Sequence, residues 1–195
     1  MTGATGTSAG WSGGPGEVAG EGVVVVARGE AARAELGPVR SRIPSLYADP
    51  LSWLVVDAVD DALSTCAEDL DAVRDEVAVI LVSALCTLQT MEAVARSARS
   101  GRVSPLRFAG ASPGGAGSLA CVVRGFKGPS LTLATGPGRG VPVARTLARS
   151  WLRSGAAEYV VVSVHHAEGD GRHRVRTTVV GAGPDLRRAL PVPGR

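Results

Sequence analysis

Aromatic residues are scarce in this chain: they make up 4% of 195 residues, against 45% hydrophobic residues overall. A core built from it must therefore be filled by Ala, Val and Leu. Lysine is nearly missing as well. Lys127 is the only one, so almost all of the formal net charge of +3 reflects an excess of arginine. Such an excess suits anion binding, although genome composition produces the same bias. No basic run is interleaved with aromatics, so nucleic acid is not an expected partner. The three cysteines, Cys66, Cys86 and Cys121, are odd in number and share no metal-like spacing. This argues against a disulfide framework or a metal site, and a reduced cytoplasmic setting without cofactor is the expectation. The N-terminus lacks the charged-then-apolar order of a signal peptide. The longest apolar run, 77–88, is too short to span a bilayer, so no membrane association is expected.

The remaining pattern is that of an α/β chain. Residues 1–21 are mostly Gly, Ser, Thr and Ala and read as a disordered leader, 22–190 as one domain, and 191–195 as a frayed tail. The β-branched run 23–26 suits a strand buried on both faces, and 29–44 reads as a loop. A helix is expected from Pro50, with Asp49 as its cap. It would bury Leu51, Leu54, Val55, Ala58, Ala62 and Leu63, and display Asp57, Asp60 and Asp61 on the other face. Residues 77–82 predict a second buried strand and 87–100 a helix. After a turn at Val103-Ser104-Pro105, a small-residue helix opens at Ser112-Pro113-Gly114-Gly115 and reaches Arg124. Leu131-Thr132-Leu133-Ala134-Thr135 predicts a third strand, 141–153 a helix stopped by Gly155, and 159–164 a fourth strand. Residues 175–180 are its hairpin partner across Glu168-Gly169-Asp170-Gly171. Strands alternating with helices indicate layered α/β packing.

Several of these pieces occur in an order similar to the N-terminal half of the β-ketoacyl synthases. Val103-Ser104-Pro105 resembles that family's "vsP" segment, and Ser112-Pro113-Gly114-Gly115-Ala116-Gly117 its small-residue helix start. Phe126-Lys127-Gly128-Pro129-Ser130-Leu131-Thr132-Leu133 is similar to the entry into the nucleophile strand. Ser154-Gly155-Ala156-Ala157-Glu158-Tyr159-Val160-Val161 is similar to the "G-x-A-D-x-V" element after the nucleophile helix. The resemblance covers 51–168. It implies half of a thiolase-like fold, a mixed five-stranded sheet flanked by helices.

The departures bear on chemistry. The family's "T-A-C-x-S-G" elbow lies over Thr135-Gly136-Pro137-Gly138-Arg139-Gly140, which puts Pro137 at the position of the nucleophilic cysteine. In the family that cysteine works at a helix N-terminus, where the dipole favours thiolate. Proline offers no nucleophile. The family's catalytic histidines belong to its C-terminal half, and no counterpart is read here. The resemblance therefore implies a non-catalytic accessory subunit of a bacterial polyketide or fatty-acid pathway. Its implied partners are a ketosynthase in a heterodimer, a second copy in a homodimer, or an acyl carrier protein. In the family the strand before the nucleophile is a sheet edge that pairs across the dimer axis. This assigns pairing to Leu131, Thr132, Leu133, Ala134 and Thr135, which carry no charge or proline to protect an edge.

Arginines recur at 145, 149 and 153 along the helix that follows the elbow. That helix is a buried middle layer in the resembled family, where three unpaired guanidinium groups could not be accommodated. Either this face is solvated, or Arg139, Arg145, Arg149 and Arg153 meet an acidic partner. The alternative function is a small thioester hydrolase or cyclase acting on carrier-bound chains, for which His165, His166 or Cys121 would have to supply the base or nucleophile. Beside that stands the plainer reading: His165, His166 and His173 as exposed strand-end histidines, and Cys86 and Cys121 as core thiols.

Overall fold

The computed structural model describes residues 22–37 and 49–188. The expected leader (1–21), the tail (191–195) and the second half of the expected 29–44 loop lie outside the described residues. Five strands form one sheet in the order β1-β5-β4-β2-β3. They are β1 (Val23–Arg33), β2 (Val77–Val82), β3 (Ser130–Leu133), β4 (Tyr159–Ala167) and β5 (His173–Ala182). β3, β2 and β4 run parallel, while β5 is antiparallel to both β4 and β1. Parallel neighbours need crossovers. The helix α1 (Pro50–Ser64) leads from β1 to β2. The helices α2 (Leu88–Ala98), α3 (Pro105–Gly110) and α4 (Gly115–Arg124) lead to β3, and α5 (Pro137–Ser154) leads to β4. A short α6 (Pro184–Arg188) follows β5. This is the expected mixed five-stranded sheet flanked by helices.

Every residue of β2 is buried, and its side chains alternate between two cores. Val77, Val79 and Leu81 join α1 and α4 on one face, while Ala78, Ile80 and Val82 join α5 and α6 on the other. The α1 start is as expected: Asp49 Oδ1 accepts from Leu51 N at 3.0 Å, with Pro50 in the first turn. The three aspartates on its outer side each find a partner. Asp57 pairs with Arg33, Asp60 with Arg124 of α4, and Asp61 Oδ2 accepts from Glu30 N at 2.8 Å.

Four expectations need correction. The valine run opens an edge strand rather than a doubly buried one, with Val24 exposed. The strand also continues through the expected loop to Arg33, paired with β5 along its length. Charge hid this. Arg28 and Glu30 face outward on β1, while the small residues Ala27, Gly29 and Ala31 alternate inward beneath α1. The third strand stops at Leu133, because Thr135 N turns back to Leu133 O at 2.8 Å. Ala134 and Thr135 are therefore a turn. Finally, α5 starts at Pro137, four residues earlier than expected: proline suits a first helical position, and the glycines disguised the turn.

Candidate functional site

The carboxyl ends of β3, β2 and β4 bring together the features singled out by sequence. After β3 the chain turns through Gly136, whose extended backbone (φ −68°, ψ 160°) places Pro137 in the first turn of α5. Gly140 packs so closely that a Cβ there would lie 2.3 Å from Val82 Cγ1 and 3.1 Å from Thr135 Cγ2. The N-terminus of α5 is thereby pressed onto β2, with no side-chain cap and no thiol. Among the described residues, no group of three His, Cys, Asp or Glu side chains is placed to hold a metal.

Beside this turn lies a polar cluster whose burial was not expected. His165 is only 3% exposed, which overturns its reading as a surface histidine. The hydroxyl of Ser83, just past β2, accepts from Leu85 N at 3.2 Å and Cys86 N at 3.0 Å. Its single hydrogen is thus free for His165 Nδ1, 3.1 Å away. That leaves His165 Nε2 to donate to His173 Nδ1 at 3.0 Å. Burial pushes the His165 pKa down to about 4, with help from His173 and His166, so the ring is neutral at pH 7. Two residues earlier on β4, Ser163 shares a hydroxyl hydrogen bond of 2.8 Å with Thr177 of β5. Strand alternation was the available signal: Val161, Ser163 and His165 share one side of β4. The partner Ser83 could not be read from sequence, since it is 82 residues away.

The candidate nucleophiles are poorly placed for attack. Burial raises the pKa of Cys121, whose Sγ lies 3.7 Å from Ser130 Oγ. Burial, then the charge of Asp49, raises that of Cys86, which is buried in left-handed backbone (φ 45°). Buried Asp49 accepts from Thr90 Oγ1 at 2.8 Å, and burial raises its pKa also. All three cysteines are free thiols. His166 is half-buried, with its pKa lowered chiefly by burial.

The arginine row lies on α5. Arg145, Arg149 and Arg153 line a hollow of about 970 Å³ together with Val23, Thr146, Ser150 and Ser154. Arg139 is exposed in the first turn, outside this lining. Of the four expected partner-binding arginines, the structure thus groups three.

At the far edge of the sheet, β3 pairs only with β2 among the described residues. Val79 N donates to Pro129 O at 2.9 Å and Ser83 N to Leu133 O at 3.1 Å. The alternation of a parallel ladder then turns Leu131 and Leu133 inward and points the N–H and C=O of Ser130 and Thr132 outward. Leu131 and Ala134 are exposed beside this open edge.

No protein-family model matches the chain, and no curated protein does. Solved structures match strongly. The ishigamide ketosynthase/chain length factor aligns with TM-score 0.59 and 16% identity, over 82% of this chain and 62% of that one. The chain has a ketosynthase-like, half-thiolase fold. A type II PKS acyl-carrier protein in complex with its ketosynthase bound to the hexaketide aligns with TM-score 0.61 and 15% identity, over 86% of this chain and 65% of that one. A ketosynthase in complex with its chain length factor from Xenorhabdus doucetiae gives TM-score 0.51 and 16% identity, over 68% and 57%. This ketosynthase-like chain thus spans less than two thirds of each of those chains. No described helix is long and apolar enough to cross a membrane.

Proposed function

We propose that this chain is a non-catalytic, ketosynthase-like accessory subunit of a bacterial polyketide or fatty-acid pathway, pairing through β3 with a ketosynthase or with a second copy of itself. The observation that carries this reading is Pro137: in a ketosynthase-like fold, the helix after β3 begins with a residue that has no nucleophile. The open, uncharged edge of β3 supports a pairing role, since backbone groups left unpaired there invite another strand. The solved neighbours include a ketosynthase with its chain length factor and one with an acyl-carrier protein, which supports partners of those kinds. The basic face of α5 suits an acidic carrier. The hydrolase or cyclase alternative gains nothing from His165 or Cys121, one 3% exposed and the other with a raised pKa.

Light scattering on size-exclusion peaks tests this, for the chain alone and mixed with type II ketosynthases. A dimer or a one-to-one complex is expected, and Thr132→Pro should abolish it. That change removes an outward N–H and spares the inner ladder to β2. A soluble monomer in every mixture would overturn the reading. So would a stable acyl adduct, seen by intact mass after incubation with acyl carrier protein.

A further inference from the structure

We propose that the exposed tip formed by α2 and α3 is a docking surface for an anionic lipid bilayer, with Leu106 and Phe108 entering the headgroup region and Arg99, Arg102 and Arg107 meeting lipid phosphates. This goes beyond the accessory-subunit reading and does not rest on it. Between them the two helices bury only Thr90 and Gly110, and neither core takes a side chain from either helix. Every residue from 98 to 109 is exposed. Of the ten exposed large hydrophobic residues described, five lie here: Leu88, Met91, Val103, Leu106 and Phe108. Phe108, one of two phenylalanines in the chain, is the most exposed of them at 67%. Apolar surface gathered outside the core in this way marks an interaction site.

Charge and shape identify the occupant. Residues 88–110 carry four arginines and one acid, Glu92, which pairs with Arg96 at 3.7 Å. No further acidic residue occurs before Glu158. The occupant must therefore offer negative charge beside an apolar interior, and a second copy of the tip would set arginine against arginine. Ser104 as cap and Pro105 in the first turn start α3, and its residues then advance by about 100° each. Leu106, Arg107 and Phe108 consequently point in three different directions, all of them open. A rigid protein groove takes one face of a helix. A fluid bilayer surface closes around a whole tip, burying apolar side chains while arginine stems reach back to the phosphates. The expectation of no membrane association rests on the lack of a spanning segment, which a helix pair lying on the surface does not need.

Co-sedimentation of the full chain with vesicles tests the tip. One set is phosphatidylcholine alone; the other is equimolar phosphatidylcholine and phosphatidylglycerol. Binding should be about ten-fold or more stronger on the anionic set, and should weaken as salt rises. Leu106→Asp with Phe108→Asp should abolish it, whereas Arg102→Glu with Arg107→Glu should remove the preference for anionic lipid. These four side chains are exposed, so both variants should keep the parent's melting temperature. Phe108→Trp leaves the charges intact and reads insertion directly. Its emission should shift to the blue on anionic vesicles only, beyond any shift of the parent's three tryptophans. Equal binding to both sets, binding to neither, or no such shift would overturn the proposal. So would an acyl carrier protein or an oligo-dT that binds through Phe108 while vesicles do not. Pairing through β3 is read separately by light scattering, so the failure of either result leaves the other standing.

Discussion

The two long helices, α1 and α5, cover opposite faces of one sheet and are built in contrasting ways. α1 buries nine of its fifteen residues, and its outer aspartates bond to β1 and α4. α5 buries five of eighteen: Gly140, Val141, Ala144, Ala148 and Leu152. Its outer side presents arginine and hydroxyl groups. The α1 face also takes in the buried polar row of Ser163, Thr177, His165 and Ser83, each hydrogen-bonded to another member or to backbone. The α5 face buries an almost wholly apolar set. One face is thus closed on itself by specific bonds. The other is covered, among the described residues, by α5 and the short α6 through apolar packing.

Glycine substitutions should break this contrast most forcefully. A Cβ at Gly29 of β1 would lie 2.1 Å from Ala62 N and 2.7 Å from Ala58 O, both backbone atoms of α1. Neither can yield unless the helix moves, so Gly29→Ala should cost more than about 3 kcal/mol, beyond the usual range for overpacking. At Gly140 the closest atoms are side-chain carbons of Val82 and Thr135. Those can shift, and Gly140→Ala should cost about 1–3 kcal/mol. Urea unfolding of both variants decides it: equal losses would mean that α1 is seated no more tightly than α5.

The buried row on the α1 face should make stability depend on pH. The folded pKa of His165 is depressed to about 4 from 6.5, so between these values the unfolded chain binds the extra proton. Stability is then complete above about pH 6.5 and falls as pH drops toward 4, by at most about 3 kcal/mol. His166, also lowered, acts in the same direction. Asp49, whose pKa is raised, acts oppositely just above pH 3.8. His165→Asn keeps an acceptor for Ser83 and removes the titration. Its melting temperature should change less between pH 7 and 5 than that of the parent. An unchanged slope would place the pH dependence elsewhere.

What could be read from the sequence follows from how local each signal is. Proline and aspartate announced α1, and the unbroken apolar run announced β2, because those signals act within one turn or one strand. The order of elements was also enough for the resemblance, and the solved neighbours bear out the fold. β1 beyond Val26 was missed because its outward residues are charged and pair with Arg174 and Arg176 of β5, some 145 positions away. The histidine chain was missed for the same reason. A strand-end histidine reads as exposed until the fold brings Ser83 beneath it. The arginine row was legible as a spacing of four, and the structure lays the same three residues along one hollow.

The smallest effects should come from the arginines themselves, and they separate a charged face that contributes little to stability from structural glue. Arg124 joins α4 to α1 through Asp60, with both side chains partly shielded. Removing it as Arg124→Ala should cost about 1 kcal/mol, the upper end for a surface pair, together with some packing of its aliphatic stem. Arg145 is exposed on α5. Arg145→Glu sets a glutamate four residues before Arg149, a favourable helix pair of about 0.3–0.5 kcal/mol. Arg153→Glu places negative charge in the last turn, where the helix dipole opposes it by about 0.3–1 kcal/mol. The double reversal should therefore leave stability within about 0.5 kcal/mol, a melting shift below about 2 °C for a chain of this size. A loss greater than that of Arg124→Ala would mean that these arginines hold α5 in place. The basic face of α5 would then be structural, and less suited to an acidic carrier.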